Sequence, residues 1–236
     1  YWSYPGTPDT FNQTSFMDLS GRPGGAITGL YSYYDMLLVF REGCIDVVQG
    51  DYISGFRVTT LRQGITCRSP NTIATIPDVG VIFLAEDGIY ILRGSMVGGS
   101  EVDVKRISDV IRGTIDRVNK DALARATGAY SQKWKEYHVY FPADGEDIPT
   151  LGIVFHVEDL VFSIRSADFP VGCLDVNLNG DFIFGHNKGT GGSLAEHGLF
   201  VISKARQNGY SSHAGEVIRA APVTSVWRSP FHDFGR

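Results

Sequence analysis

Six histidines, His138, His156, His186, His197, His213 and His232, are the side chains best suited to bind a metal or move a proton near neutral pH. None stands in an HExxH spacing and none forms a close pair along the chain, so no metal centre is expected. His138 and His156 lie in alternating apolar stretches, where each is expected to be satisfied by strand neighbours. Asp175-Val-Asn177-Leu-Asn179-Gly180 copies the first half of a calcium-binding EF-hand loop. The position that should supply a bidentate Glu is His186, so the stretch reads as a hairpin turn. Gly180 to Lys188 has the glycine spacing of a phosphate loop. His186-Asn187 stands where Lys-Ser/Thr would touch phosphate and magnesium, and again a hairpin is expected. Cys44, Cys67 and Cys173 are odd in number, lack a CxxC spacing and sit in apolar contexts. They are expected to be buried free thiols rather than metal ligands or a disulfide scaffold.

Nucleophilic catalysis has no sequence signature here: there is no GxSxG, and no cysteine is read as lying in a basic setting, Arg68 beside Cys67 being a single charge. Asp87, Asp109, Asp144, Asp159 and Asp175 could furnish a pair of glycosidase carboxylates, but each is equally explained as a turn or cap residue. The SxDxGxxW box of sialidase-type propellers is absent. The expectation is a non-enzymatic chain that needs no cofactor.

The elements that must position any site are strands. Met36–Phe40, Arg41-Glu42-Gly43 and Cys44–Val48 form one phrase of apolar strand, polar turn with Gly, and apolar strand. The phrase returns at Val81–Leu84, Glu86-Asp87-Gly88 and Ile89–Leu92, and more weakly at Leu194 to Ile202. A hairpin repeating every 40–50 residues or so is the sign of a β-propeller blade. The 28 glycines and the abundance of Val, Ile, Tyr and Phe suit frequent turns and strands. The predicted fold is all-β: a β-propeller with about five blades visible, of an expected six-bladed ring. Residues 1–25 read as an extended lead-in and 26–236 as the propeller, the whole expected to be a segment of a longer polypeptide. Gly128–Tyr130, Lys135–Phe141, Leu151–Val157 and Leu160–Ile164 are read as a four-stranded meander over 126–166. Asn179-Gly180 predicts a type I′ hairpin, and Thr224 to Arg236 is read as the start of a following blade.

One stretch has helical spacing: Ile107, Val110, Ile111, Ile115 and Val118. A short helical insertion over about 105–126 is expected, capped by Ser108 or Asp109 and weakened by Gly113. Arg106, Arg112, Arg117, Lys120 and Arg125 cluster around it, either as a solvated face or as a contact for an acidic partner subunit. Trp134 and Trp227 are either core aromatics or the platform of a glycan site. A net charge of −5 argues against sequence-independent nucleic-acid binding by positive charge. No apolar run approaches the length of a membrane span.

The lead-in Tyr4-Pro5-Gly6-Thr7-Pro8, then Gly25-Ala-Ile-Thr-Gly-Leu30, Leu37–Phe40, Gly80–Leu84, Asp87-Gly88-Ile-Tyr90, Tyr137–Tyr140 and Phe162-Ser-Ile-Arg165, together resemble phage virion propellers. The nearest type is the tail tubular protein B, or nozzle, family of short-tailed phages, over roughly residues 4–235. Phe162 stands where that family usually has Trp. The resemblance implies a structural subunit of the virion tail, assembled in the host cytoplasm into a homo-oligomeric ring, with a hexamer expected. The ring would join the portal and adaptor and the tail fibres, and would pass and retain double-stranded DNA. An acidic lumen would let the phosphate backbone slide. Two alternatives stand beside it: a tail-tip propeller binding a host-surface glycan through Trp134 or Trp227, and a propeller hydrolase with convergent carboxylates.

Overall fold

A computed structural model describes residues 3–4, 7–11, 13, 15–19, 21–94, 102–166, 171–186, 198–202, 210–212 and 225–227. The chain divides into two compact units, Tyr1–Thr66 and Cys67–Arg236. The lead-in read over residues 1–25 belongs to the same unit as the first sheet.

In the first unit, β1 (Ser3–Tyr4) pairs with β2 (Thr7–Phe11), so part of the lead-in is a small hairpin rather than irregular chain. An antiparallel meander follows: β3 (Ile27–Tyr33), β4 (Met36–Arg41), β5 (Cys44–Asp51) and β6 (Gly55–Gln63). Met36, Leu38, Phe40, Ile45 and Val47 are buried. Each contributes about 1.5–3 kcal/mol of apolar burial. The lead-in is held by charge. Arg41 is 3% exposed and ion-pairs with the fully buried Asp46 at 3.2 Å. Its remaining N–H groups donate to the carbonyls of Leu19, Arg22, Pro23 and Gly25 at 3.1–3.3 Å. Asp46 also accepts from Thr60 Oγ1 at 2.6 Å. Gly24 makes the close approach possible: at φ +132° a Cβ there would lie 2.3 Å from Cys44 Sγ.

The second unit holds three sheets. The first comprises β7 (Ala74–Ile76), β8 (Gly80–Ala85), β9 (Gly88–Arg93) and β10 (Asp103–Arg106). The second comprises β11 (Thr127–Ser131), β12 (Glu136–Phe141), β13 (Leu151–His156) and β14 (Val161–Ser166), joined by β19 (Ser225–Trp227). The third comprises β15 (Cys173–Val176), β16 (Phe182–His186), β17 (Gly198–Ile202) and β18 (Tyr210–Ser212). The first strand of each sheet starts 46–53 residues after that of the sheet before it, which matches the repeat read from the sequence. Inner strand β11 lies beside both β7 and β15, as blades radiating from a common axis require.

Two apolar cores join these blades. Ile82, Leu84, Ile89 and Ile91 meet Tyr137, Val139, Phe141, Ile153 and Phe155. Tyr140, Leu174, Phe182 and Phe184 form the next seam. The middle strands are covered on both faces, which is why β8 and β9 read as continuous apolar runs rather than alternations. Tyr137 is fully buried, and its OH donates to Thr72 O of the neighbouring blade at 2.6 Å.

The helical insertion is shorter than expected. Lys105 and Arg106 are still in β10, followed by a 3₁₀ turn Ser108–Ile111, α1 (Arg112–Ile115) and a second 3₁₀ turn Leu123–Arg125. Ile111, Ile115, Val118 and Leu123 enter the core, while Val110 is 63% exposed. Neither Ser108 nor Asp109 caps; Ser108 Oγ instead accepts from Ile89 N at 3.0 Å.

Three further expectations change. Four blade-like sheets, not five, are present among the described residues. Ser225–Trp227 starts no new blade but pairs with Ser163–Arg165 on the outer edge of β14. At the 177–181 turn only Gly180 has positive φ, +79°, so the turn is not type I′. Gly180 N donates to Asn177 O, and Asn177 Oδ1 accepts from the N–H groups of Asn179 and Asp181, each at 2.9 Å. The Asn177 side chain does the work that a second left-handed residue would have done. The loop at 189–193, the strand expected at 217–221, and His197, His213 and His232 lie outside the described residues.

Candidate functional site

Strand pleating gathers ionisable groups on one face of the second blade of the larger unit. Glu136 and His138 are two apart on β12 and share that face. Glu136 is paired across the ladder with His156, and Val154 separates His138 from Ser163. The carboxylate of Glu136 meets His138 Nε2 at 2.9 Å through Oε2 and His156 Nδ1 at 3.3 Å through Oε1. His156 Nε2 lies 3.1 Å from Ser163 Oγ. Glu136, His138 and Ser163 are buried, and His156 is about a quarter exposed. Burial chiefly drives the His138 pKa down to about 4, opposed by the hydrogen bond to Glu136. Tyr140, on the same face, is raised by burial.

Ser163, His156 and Glu136 have the connectivity of a nucleophile, base and orienting carboxylate. The surroundings do not support acyl transfer. Ser163 is only 6% exposed. Strand β14 is flanked by β13 and β19, so the backbone N–H groups around Ser163 are committed to ladders and none is free to stabilise an oxyanion. The arrangement is a hydrogen-bond relay within the sheet, with His156 partly open to solvent. Sequence reasoning treated each histidine alone and missed it; the i, i+2 spacing of Glu136 and His138 was the only local signal.

No group of three or more His, Cys, Asp or Glu suited to a metal is present among the described residues. Asn177 serves the turn, and Asp175 lies in β15, its Oδ1 accepting from Val176 N. Cys44 and Cys67 are buried as expected, but Cys173 is exposed, because the first residue of β15 points away from the seam that buries Leu174.

The arginines around the insertion mostly have partners within the chain. Arg106 ion-pairs with Asp87 at 3.3 Å and with Asp109 at 2.7 Å. Arg117 holds Asp144, with Nε 3.0 Å from Oδ1, and that pairing keeps the Asp144 carboxyl below its ordinary value. Arg125 Nη1 donates to Asp147 O at 2.9 Å. Arg112 is exposed on α1. Three of the four therefore have intramolecular roles around the insertion. Trp134 is half-buried, edge-on to Phe182 at 5.2 Å and to His138 at 6.2 Å, so it packs in the seam between blades. The backbone of Trp227 pairs with Ser163 on the outer edge.

No family model matches the chain, and no curated protein matches it. Among solved structures, the WD40 domain of Neurospora crassa Pan2 is similar at 14% identity and a TM-score of 0.45, over 75% of this chain and 46% of that one. A structural genomics protein of unknown function from Bacteroides thetaiotaomicron is similar at 12% identity and a TM-score of 0.49, over 80% and 44%. The chain spans less than half the length of either. The architecture itself, four-stranded antiparallel blades with little helix, makes this an all-β propeller-type chain.

Proposed function

We propose that this protein is a structural, non-enzymatic subunit of a short-tailed phage tail, of the nozzle or tail tubular protein B type. In this reading its copies form a ring, expected to be a hexamer, that meets the portal and adaptor and carries tail fibres. The ring extends the channel for double-stranded DNA and retains the genome until ejection. The observation that carries the proposal is the blade repeat, whose strands hold the motifs resembling that family. The burial of Ser163, with its strand paired on both sides, supports the non-enzymatic part. The exposed Arg112, with Arg106, Arg117 and Arg125 around it, is the proposed subunit-contact patch.

Light scattering of the full-length protein, alone and with a portal–adaptor ring, tests the reading. A discrete ring, free or formed on that template, is expected. A stable monomer that ignores the template but is retained on host surface polysaccharide would overturn it in favour of a receptor-binding propeller.

A further inference from the structure

The hydrogen-bond order around Glu136 assigns each imidazole its proton. The Glu136 carboxylate accepts from His138 Nε2 and from His156 Nδ1, and Ser163 Oγ donates to His156 Nε2. These tautomers follow from the network. His138 therefore carries its hydrogen on Nε2, leaving Nδ1 bare, and that atom is buried without a hydrogen-bond partner. Its ring stacks on Phe182 of the next blade, with centroids 3.8 Å apart and planes 19° apart.

The two histidines differ in how they tolerate a second proton. His156 would gain it at Nε2, where Ser163 Oγ can turn and accept. His138 would gain it at Nδ1, where no acceptor waits, so a charged donor would be buried unsatisfied against an aromatic ring. The charged and titratable groups acting on His138 are Glu136 on its own strand, His156 on β13 and Arg165 on β14. Burial most strongly, together with Arg165 and His156, opposes the charged ring, and Glu136 favours it.

We infer that the Glu136–His138–His156 cluster is an acid-sensitive latch on the seam between the β11–β14 and β15–β18 blades, closed while His138 is neutral and released when its Nδ1 is protonated. The inference concerns the blade seam alone and stands whether or not the tail reading holds.

Amide hydrogen exchange at Leu174, Phe182 and Phe184, corrected for intrinsic rates and followed from pH 7.5 to 4, tests it. The shift of His138 from 6.5 to about 4 makes its closed-state proton affinity roughly 300-fold weaker than in an open seam. Protection in the unsubstituted protein should therefore fall progressively below about pH 6.5, approaching that factor near pH 4. His138→Phe should be flat across this window, and His156→Gln should keep most of the fall. Equal loss in His138→Phe and the unsubstituted protein would overturn the latch. Should His138→Phe not fold, NMR titration of the unsubstituted protein decides: His138 titrating well below 6.5 sustains the inference, and an ordinary value overturns it.

Discussion

Replacing Arg41 by Met should open the first unit in a defined way. The guanidinium is 3% exposed, faces a fully buried Asp46, and donates to four carbonyls of the lead-in, at Leu19, Arg22, Pro23 and Gly25. Met keeps most of the apolar stem, so the change isolates the charge. Its removal leaves the Asp46 carboxylate buried with Thr60 Oγ1 and a weak Cys44 Sγ contact as its remaining hydrogen bonds. Orphaning one partner of a buried pair typically costs about 3–5 kcal/mol. The low end is expected here, because the short Thr60 bond remains. Urea denaturation followed by hydrogen exchange on β4 and β5 measures the loss, and limited proteolysis reports release of the lead-in. Asp46→Asn paired with Arg41→Met should recover part of the loss, since the double change leaves no net buried charge. A cost below about 1 kcal/mol, with residues 21–25 still protected from protease, would refute the claim that this ion pair holds the lead-in.

Further outcomes follow from individual contacts. Tyr137→Phe removes the hydroxyl's bridge to Thr72 O and should cost about 1–2 kcal/mol by chemical denaturation, with the hydrophobic seam intact. Native-state thiol labelling at pH 8 should modify the exposed Cys173 first; Cys67, pushed up to about 12 mainly by burial, and the buried Cys44 should react only on unfolding. Arg117→Ala breaks an exposed pair with Asp144 and should cost under about 1 kcal/mol, so any loss of ring assembly in that variant reports a contact rather than misfolding. The pH sign for His138 runs toward acid instability: its folded-state value is depressed to about 4, so the unfolded chain binds the proton first as pH falls below about 6.5. Between those values the stability should drop by about 3 kcal/mol, measurable as a falling urea midpoint that His138→Phe abolishes.

The blade repeat was legible because each hairpin is a local event. Apolar runs of four or five residues, broken by Arg41-Glu42-Gly43 or Glu86-Asp87-Gly88, specify strands and a turn wherever they occur. The apolar spacing of Ile111, Ile115 and Val118 likewise marked a non-strand insertion that must reach the core. What the sequence left open was decided between strands far apart in the chain. Pairing across β12, β13 and β14 brought Glu136, His156 and Ser163 into one relay, and no spacing along a single strand reports that register. Arg41 read as an ordinary turn cation until folding placed Asp46 and the carbonyls of Leu19, Arg22, Pro23 and Gly25 around it. Cys173 looked like a core thiol, yet its strand turns Leu174 rather than Cys173 into the seam. Ser225–Trp227 had the composition of a new blade and joined an existing edge instead. Local pattern determined the strands and turns; only the tertiary structure decided which polar side chains would be buried together, because burial and its electrostatic cost are properties of the assembled sheets.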